Sequence, residues 1–208
     1  AALPGTAAEV TEIARTFRAA FPRGPVTELR REMASEEWLR RAAPNHAYIH
    51  LATHGFFAPA GYGQLVGDPG DQRGLSFVSR PEAKARPTPN PGLLSGLVCA
   101  HANDPKELSS EDGILTALEV QDLDLTKTEV VVLSACETGL GNTAGGEGVL
   151  GLQRAFHLAG ARTAVTSLWK VDDEATRVLM TRFYDNLCSK KMGRLEALVE
   201  AQKWVMRE

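Results

Sequence analysis

The chain has 208 residues, 43% of them hydrophobic and 24% charged, enough for the core of one α/β domain with an ordinary polar surface. Its formal charge of −3 argues against a nucleic-acid or anionic-membrane binder, and no apolar run approaches the ~20 residues that cross a bilayer. Cys99, Cys136 and Cys188 are an odd number at wide spacing with no CxxC pair, so neither a disulfide framework nor a zinc site is indicated, and a reducing cytoplasm fits best.

Nothing at the start resembles a signal peptide. The chain opens at Ala1-Ala2-Leu3 without Met and stops on a charged helical stretch, so it is expected to be a piece of a longer protein. Thr6-Ala7-Ala8-Glu9 has the spacing of a capping box, and Val10, Ile13, Ala14, Phe17 and Phe21 recur at helical intervals, predicting a helix over 6–20. Residues 25–30 read as a short strand, and Ser35 as the cap of a helix through Trp38, Leu39 and Ala42 to Pro44. Ala47 to Ala52 is β-prone and apolar, a buried strand.

From Phe57 to Gly92 the composition turns to Pro and Gly with no period, which predicts a long insertion loop. A strand over 93–99, a turn at Ser109–Gly113 and a short helix near 114–121 follow. Val130 to Ala135 has the β-branched continuity of a central parallel strand buried on both faces. A glycine loop leads into a helix over 147–159 that ends at Gly160; then come a strand over 163–168 and helices over 173–187 and 194–206. Strands alternating with helices imply an α/β fold, a mostly parallel sheet flanked by helices on both faces.

In such sheets reactive groups collect beyond the carboxyl ends of the strands. Two strand ends carry them here, Ala52-Thr53-His54-Gly55 and Ser134-Ala135-Cys136-Glu137-Thr138-Gly139. If the strands are neighbours, a thiol nucleophile and an imidazole share one cleft, the arrangement of thiol catalysis. Gly55 lets its amide approach a reacting carbonyl with no Cβ in the way, and with the amide of Cys136 it forms a two-donor oxyanion hole. Against this, a Cys or His at a strand end is often mere packing. His50 reads as core or second shell, Cys99 and Cys188 as packing, and His46, His101 and His157 show no ligand spacing.

These stretches resemble the CHAT family, caspase-like peptidase domains often found behind tetratricopeptide (TPR) repeats. The resemblance rests on Tyr48-Ile-His-Leu-Ala-Thr-His-Gly-Phe56, Asp112-Gly-Ile-Leu-Thr-Ala-Leu-Glu-Val120 and Val131-Val-Leu-Ser-Ala-Cys-Glu-Thr-Gly-Leu-Gly141. It continues through Gly146-Glu-Gly-Val-Leu-Gly-Leu-Gln-Arg-Ala-Phe156, Ala159-Gly-Ala-Arg162 and Ser167-Leu-Trp-Lys-Val-Asp-Asp173, and covers nearly the whole chain apart from the insertion. It implies a single domain over 1–208 with a caspase/separase-type fold, in which His54 and Cys136 match the catalytic pair and no third acid is required. The strand that usually precedes the first helix and the one after the last helix are expected outside this stretch or supplied by a partner. Relatives in this broad fold often place an acid at the base of the specificity pocket, which makes Asp172 and Asp173 candidates, with Trp169 walling the adjacent pocket and Glu137 and Asp112 as further acids. An Asp at 172 or 173 is equally a normal helix cap, and Glu147 is more simply a first-turn charge.

The resulting expectation is a cysteine endopeptidase that performs limited proteolysis of a protein partner, regulated by an upstream repeat or sensor region. It calls for no cofactor, metal, membrane or directly bound nucleic acid. The alternative is a catalytically silent CHAT domain serving as a protein-interaction scaffold. A third reading, nucleotide binding by the glycine loop at 139–148, lacks the Lys-Ser/Thr of a phosphate cradle. Abundant Arg and Ala point to a GC-rich, bacterial genome, where a TPR-linked protease would fit signalling or defence.

Overall fold

The computed structural model describes residues 5–57, 91–93, 95–102, 112–134, 136–137, 147–167 and 172–207. The body of the Pro/Gly insertion, the turn at 109–111, the glycine loop at 139–146 and Trp169 lie outside the described residues. In chain order the elements are α1 (Thr6–Ala20), α2 (Glu36–Ala42), β1 (Tyr48–Leu51), β2 (His54–Phe57), β3 (Ser95–Val98) and β4 (Ile114–Thr116). They continue with α3 (Ala117–Gln121), β5 (Val130–Leu133), β6 (Cys136–Glu137), α4 (Glu147–Leu158), β7 (Ala164–Thr166), α5 (Asp173–Tyr184) and α6 (Arg194–Val205). By its internal contacts the chain divides into two compact units, Arg31–Lys170 and Ala1–Arg30 with Val171–Glu208.

The larger unit is organised by β5. Val130, Val131, Val132 and Leu133 are at most 6% exposed, so this strand is buried on both faces as its unbroken β-branched run predicts. It is the centre of a parallel sheet ordered β1-β5-β7. On one face, Ile49, Val131 and Leu133 join Leu97 and Leu115 and meet Val120 of α3 and Leu152, Ala155 and Phe156 of α4 in a single cluster. Burying each large side chain there stabilises the unit by ~1.5–3 kcal/mol. Gly160, at φ +109°, ends α4 as the sequence implies.

A second sheet runs β4-β3-β2-β6. Its β2–β3 and β3–β4 pairs are antiparallel and its β2–β6 pair is parallel, so among the described residues three of five strand pairings are parallel. The fold is α/β, as expected.

Four local expectations are corrected. Gly5, not Thr6, occupies the N-cap of α1, with no side-chain cap bond; Thr6 is already helical, so its hydroxyl cannot make the capping box. Residues 25–30 carry no strand. The segment 114–121 is a strand, β4, followed by α3, because Thr116 and Glu119 close a reciprocal capping box that starts the helix three residues late, at Ala117. The strand through His50 stops at Leu51, and His54 opens a separate strand in the second sheet.

In the smaller unit α1, α5 and α6 pack through Ile13, Ala14, Phe183, Tyr184, Ala197 and Ala201, each at most 7% exposed. Glu12 of α1 accepts hydrogen bonds from Arg177 at 2.8 Å and Thr181 at 2.7 Å on α5. After Tyr184 the helix widens into a π turn, Asp185–Ser189, where buried Asn186 donates to the Ala197 carbonyl at 3.1 Å.

Candidate functional site

The two candidate residues, His54 and Cys136, are brought together by one register. Tyr48 pairs with Val130 and His54 with Cys136, so the partner stands 82 residues further on in both sheets. The Ser134 amide donates to the Leu51 carbonyl at 3.0 Å across the break between them. β1–β2 and β5–β6 therefore pair the same two chain segments in one unslipped register. His54 and Cys136 are thus Cα partners in the same register as the buried valines.

Where the chain passes from one sheet to the next, the Thr53 hydroxyl donates to the Val98 carbonyl at 2.5 Å. This ties the residue before His54 to the end of β3. Gly55 follows, buried, opposite Glu137 on one side and Leu97 on the other. Phe56, 8% exposed, covers Gly96 so closely that a Cβ there would lie 2.7 Å from its ring and 2.8 Å from the Leu115 carbonyl oxygen. His54 itself is half-buried.

The remaining cysteines are placed for packing. Cys99 lies against the core cluster, and burial, reinforced by the negative charge of Glu36, pushes its thiol up to about 12. Cys188 is 1% exposed and burial pushes its thiol up to about 11. Both are protonated at neutral pH and poor nucleophiles. The histidines without ligand spacing also have structural partners: ring nitrogens of His46 and His157 donate to the carbonyls of Ala42 at 2.8 Å and Ala161 at 2.9 Å. His50 stands in β1 opposite Val132, and His101, at φ 71°, is exposed. No group of three or more His, Cys, Asp or Glu among the described residues is arranged to hold a metal ion, and no helix among them is long and apolar enough to cross a membrane.

Of the candidate pocket acids, Asp172 is the N-cap of α5. Its carboxylate accepts from the amides of Glu174 at 3.0 Å and Ala175 at 3.1 Å, and Asp173 begins the helix. Glu137 is paired through its backbone with Gly55. Asp112 accepts from the Ile114 amide at 2.9 Å in a turn that leads into β4. Reading by strand ends missed Thr53 and Val98; the signal for them is a hydroxyl residue set immediately before the break at His54.

Comparison with known proteins supplies relatives and a family. The chain is 33% identical over 111 residues to human tetratricopeptide repeat protein 28, a match that covers 49% of this chain and 4% of that protein. It is 32% identical over 95 residues to the mouse protein of the same name, covering 43% of this chain and 4% of that one. The chain thus spans only a small part of the curated relatives it matches. The family model of the CHAT domain matches residues 1–208, the whole chain. By that match the chain belongs to the CHAT domain family.

Proposed function

We propose that this CHAT domain is a caspase-like cysteine endopeptidase. Cys136 is its nucleophile and His54 its acid and base. In the proposed reaction the Cys136 sulfur attacks the scissile carbonyl while the imidazole takes the thiol proton, and the C–N bond then breaks as that proton passes to the leaving amine. Water, deprotonated by the same imidazole, hydrolyses the thioester and restores the thiol. The amides of Gly55 and Cys136 are the proposed donors to the developing oxyanion, each worth about 3–4 kcal/mol in the transition state.

The observation that carries this reading is the direct pairing of His54 with Cys136 across β2 and β6. The raised thiols of Cys99 and Cys188 support it by leaving Cys136 as the cysteine with a nucleophile's place. The substrate in this reading is a protein partner cut at a limited number of sites, in the cytoplasm, with no cofactor. Similarity to TPR-repeat proteins supports control by a repeat region elsewhere in the full protein. Trp169, Asp172, Asp173 and Glu137 are the proposed substrate-binding residues.

The test is a peptide library incubated with the full protein and with its Cys136→Ala and His54→Ala variants. Cleavage by the native protein and loss in both variants is expected. Empty and identical profiles for all three would replace the peptidase with the scaffold reading.

A further inference from the structure

Outside the candidate site, one buried carboxyl among the described residues is poorly provided with hydrogen bonds. Glu36, in the first turn of α2, is 1% exposed, and neither of its carboxylate oxygens has a hydrogen-bond partner. Its nearest cation, Arg40 on its own helix, stands 3.7 Å away and is committed at 3.0 Å to Glu119 of α3. Glu119 is itself held, accepting from the Thr116 amide at 2.8 Å and hydroxyl at 2.7 Å. Asp112, before β4, and the Cys99 thiol, after β3, are the other ionisable groups facing Glu36. One arginine thus serves a neighbourhood of three carboxyls, of which Glu36 is the one shut away from water.

The backbone around Glu36 is drawn tight. The Cys99 amide donates to the Gly113 carbonyl at 2.7 Å, and the Ala100 amide to the Ala34 carbonyl at 2.9 Å, two residues before Glu36. Gly113 sits at φ +80°, and a Cβ on it would lie 2.2 Å from the Ala102 nitrogen. The chain segments after β3 and before β4 are therefore clasped against the start of α2, with the carboxyl of Glu36 enclosed. A buried carboxylate so poorly compensated costs several kcal/mol, so the arrangement fits the neutral acid.

We propose that Glu36 is a proton-operated latch: as the neutral acid it lets the start of α2 clasp Cys99–Ala100 and Asp112–Gly113, and as the anion it loosens that clasp. Burial first, then the charges of Glu119 and Asp112, raise its carboxyl above the ordinary glutamate range, against the opposing pull of the Gly113 amide and Arg40. The sign follows from linkage. The folded chain keeps a proton that the unfolded chain releases, so the clasp is at full strength below the ordinary glutamate range and weakens as pH climbs through the raised folded value. The loosened segment begins one residue after Val98, whose carbonyl holds Thr53 beside His54. That link makes the latch a regulator of the candidate site, a consequence that rests on the peptidase reading, whereas the latch itself does not.

The test uses the native chain and Glu36→Gln, a neutral mimic of the protonated acid. Amide hydrogen exchange of Cys99 and Ala100 is followed from pH 5 to pH 8.5, corrected for intrinsic exchange rates. Protection of both amides should fall about tenfold for each unit above the folded pKa in the native chain and stay level in Glu36→Gln. Carbon-13 titration of the native glutamate carboxyls should show one resonance with a midpoint above the ordinary range, which decides the matter alone if the variant does not fold. Parallel loss of protection in both proteins, or no such resonance, overturns the latch. Neither readout involves peptide cleavage, so its failure is separate from any failure of Cys136 and His54.

Discussion

His54 and Cys136 are Cα partners in the register that Tyr48 and Val130 set six residues earlier. The site therefore depends on packing in a neighbouring sheet. Leu133, 6% exposed, pairs with Leu51 and Thr166 at the last step of that sheet before the break. Leu133→Ala should lower stability by about 2–5 kcal/mol in urea unfolding. Under conditions where it remains folded, its Cys136 should react with iodoacetamide more slowly than in the native chain.

Thr53→Val removes the hydroxyl that reaches Val98 while keeping the shape of the side chain. A loss of about 1 kcal/mol in stability is expected, as for one hydrogen bond. Displacing His54 should cost more in function, about tenfold or greater in kcat with KM little changed. Thr53→Ser should restore most of it. Equal kcat in Thr53→Val and the native protein would remove the hydroxyl from any role at the site.

Thiol labelling separates the three cysteines. With the Cys99 thiol pushed up to about 12 and that of Cys188 to about 11, iodoacetamide at pH 7.5 should modify Cys136 first and the other two only after unfolding. Peptide mapping by mass spectrometry reads this directly. The same shifts predict the alkaline limb of stability. Above the ordinary thiol value of 9.0 the unfolded chain loses protons that the folded one retains, so the melting temperature should fall as pH rises from about 9.

Gly96→Ala drives a methyl group into the Phe56 ring and the Leu115 carbonyl, both closer than 3.0 Å to where the new carbon would stand. A backbone oxygen cannot rotate away. Destabilisation of about 1–3 kcal/mol is expected in denaturant unfolding.

Asp172 carries two proposed duties that substitutions can divide. As the N-cap of α5 it should be replaceable by Asn, whose side-chain oxygen can accept the same amide bonds, whereas Asp172→Ala should cost about 0.5–2 kcal/mol in thermal or urea unfolding. A pocket acid would behave differently. Asp172→Asn would then keep its stability and lose any preference for cutting after Lys or Arg, as a peptide library would report.

Long elements with one dominant physical cause were legible. The helix over 6–20 and the strand at 130–133 followed from apolar periodicity and an unbroken β-branched run. Short strands were not. His54–Phe57 and Cys136–Glu137 are too brief to establish a period, and their strand state comes from neighbours distant in sequence. Ile114–Thr116 was absorbed into a helix although Thr116 and Glu119 announce its true start. The expected capping box at Thr6 and Glu9 shows the opposite error, a correct motif one residue out of step with the helix. Nothing in the sequence marks Glu36 as buried, because its burial depends on the segments flanking β3 and β4.

The pairing of Phe57 with Ser95 has a corollary for chain length. The two sheet residues that bound this stretch of the chain stand side by side, as antiparallel neighbours do. Each doubling of such an excursion adds only about 0.6 kcal/mol of closure cost. A stretch of another length between these two residues should thus leave the sheet's register intact, three positions downstream of His54.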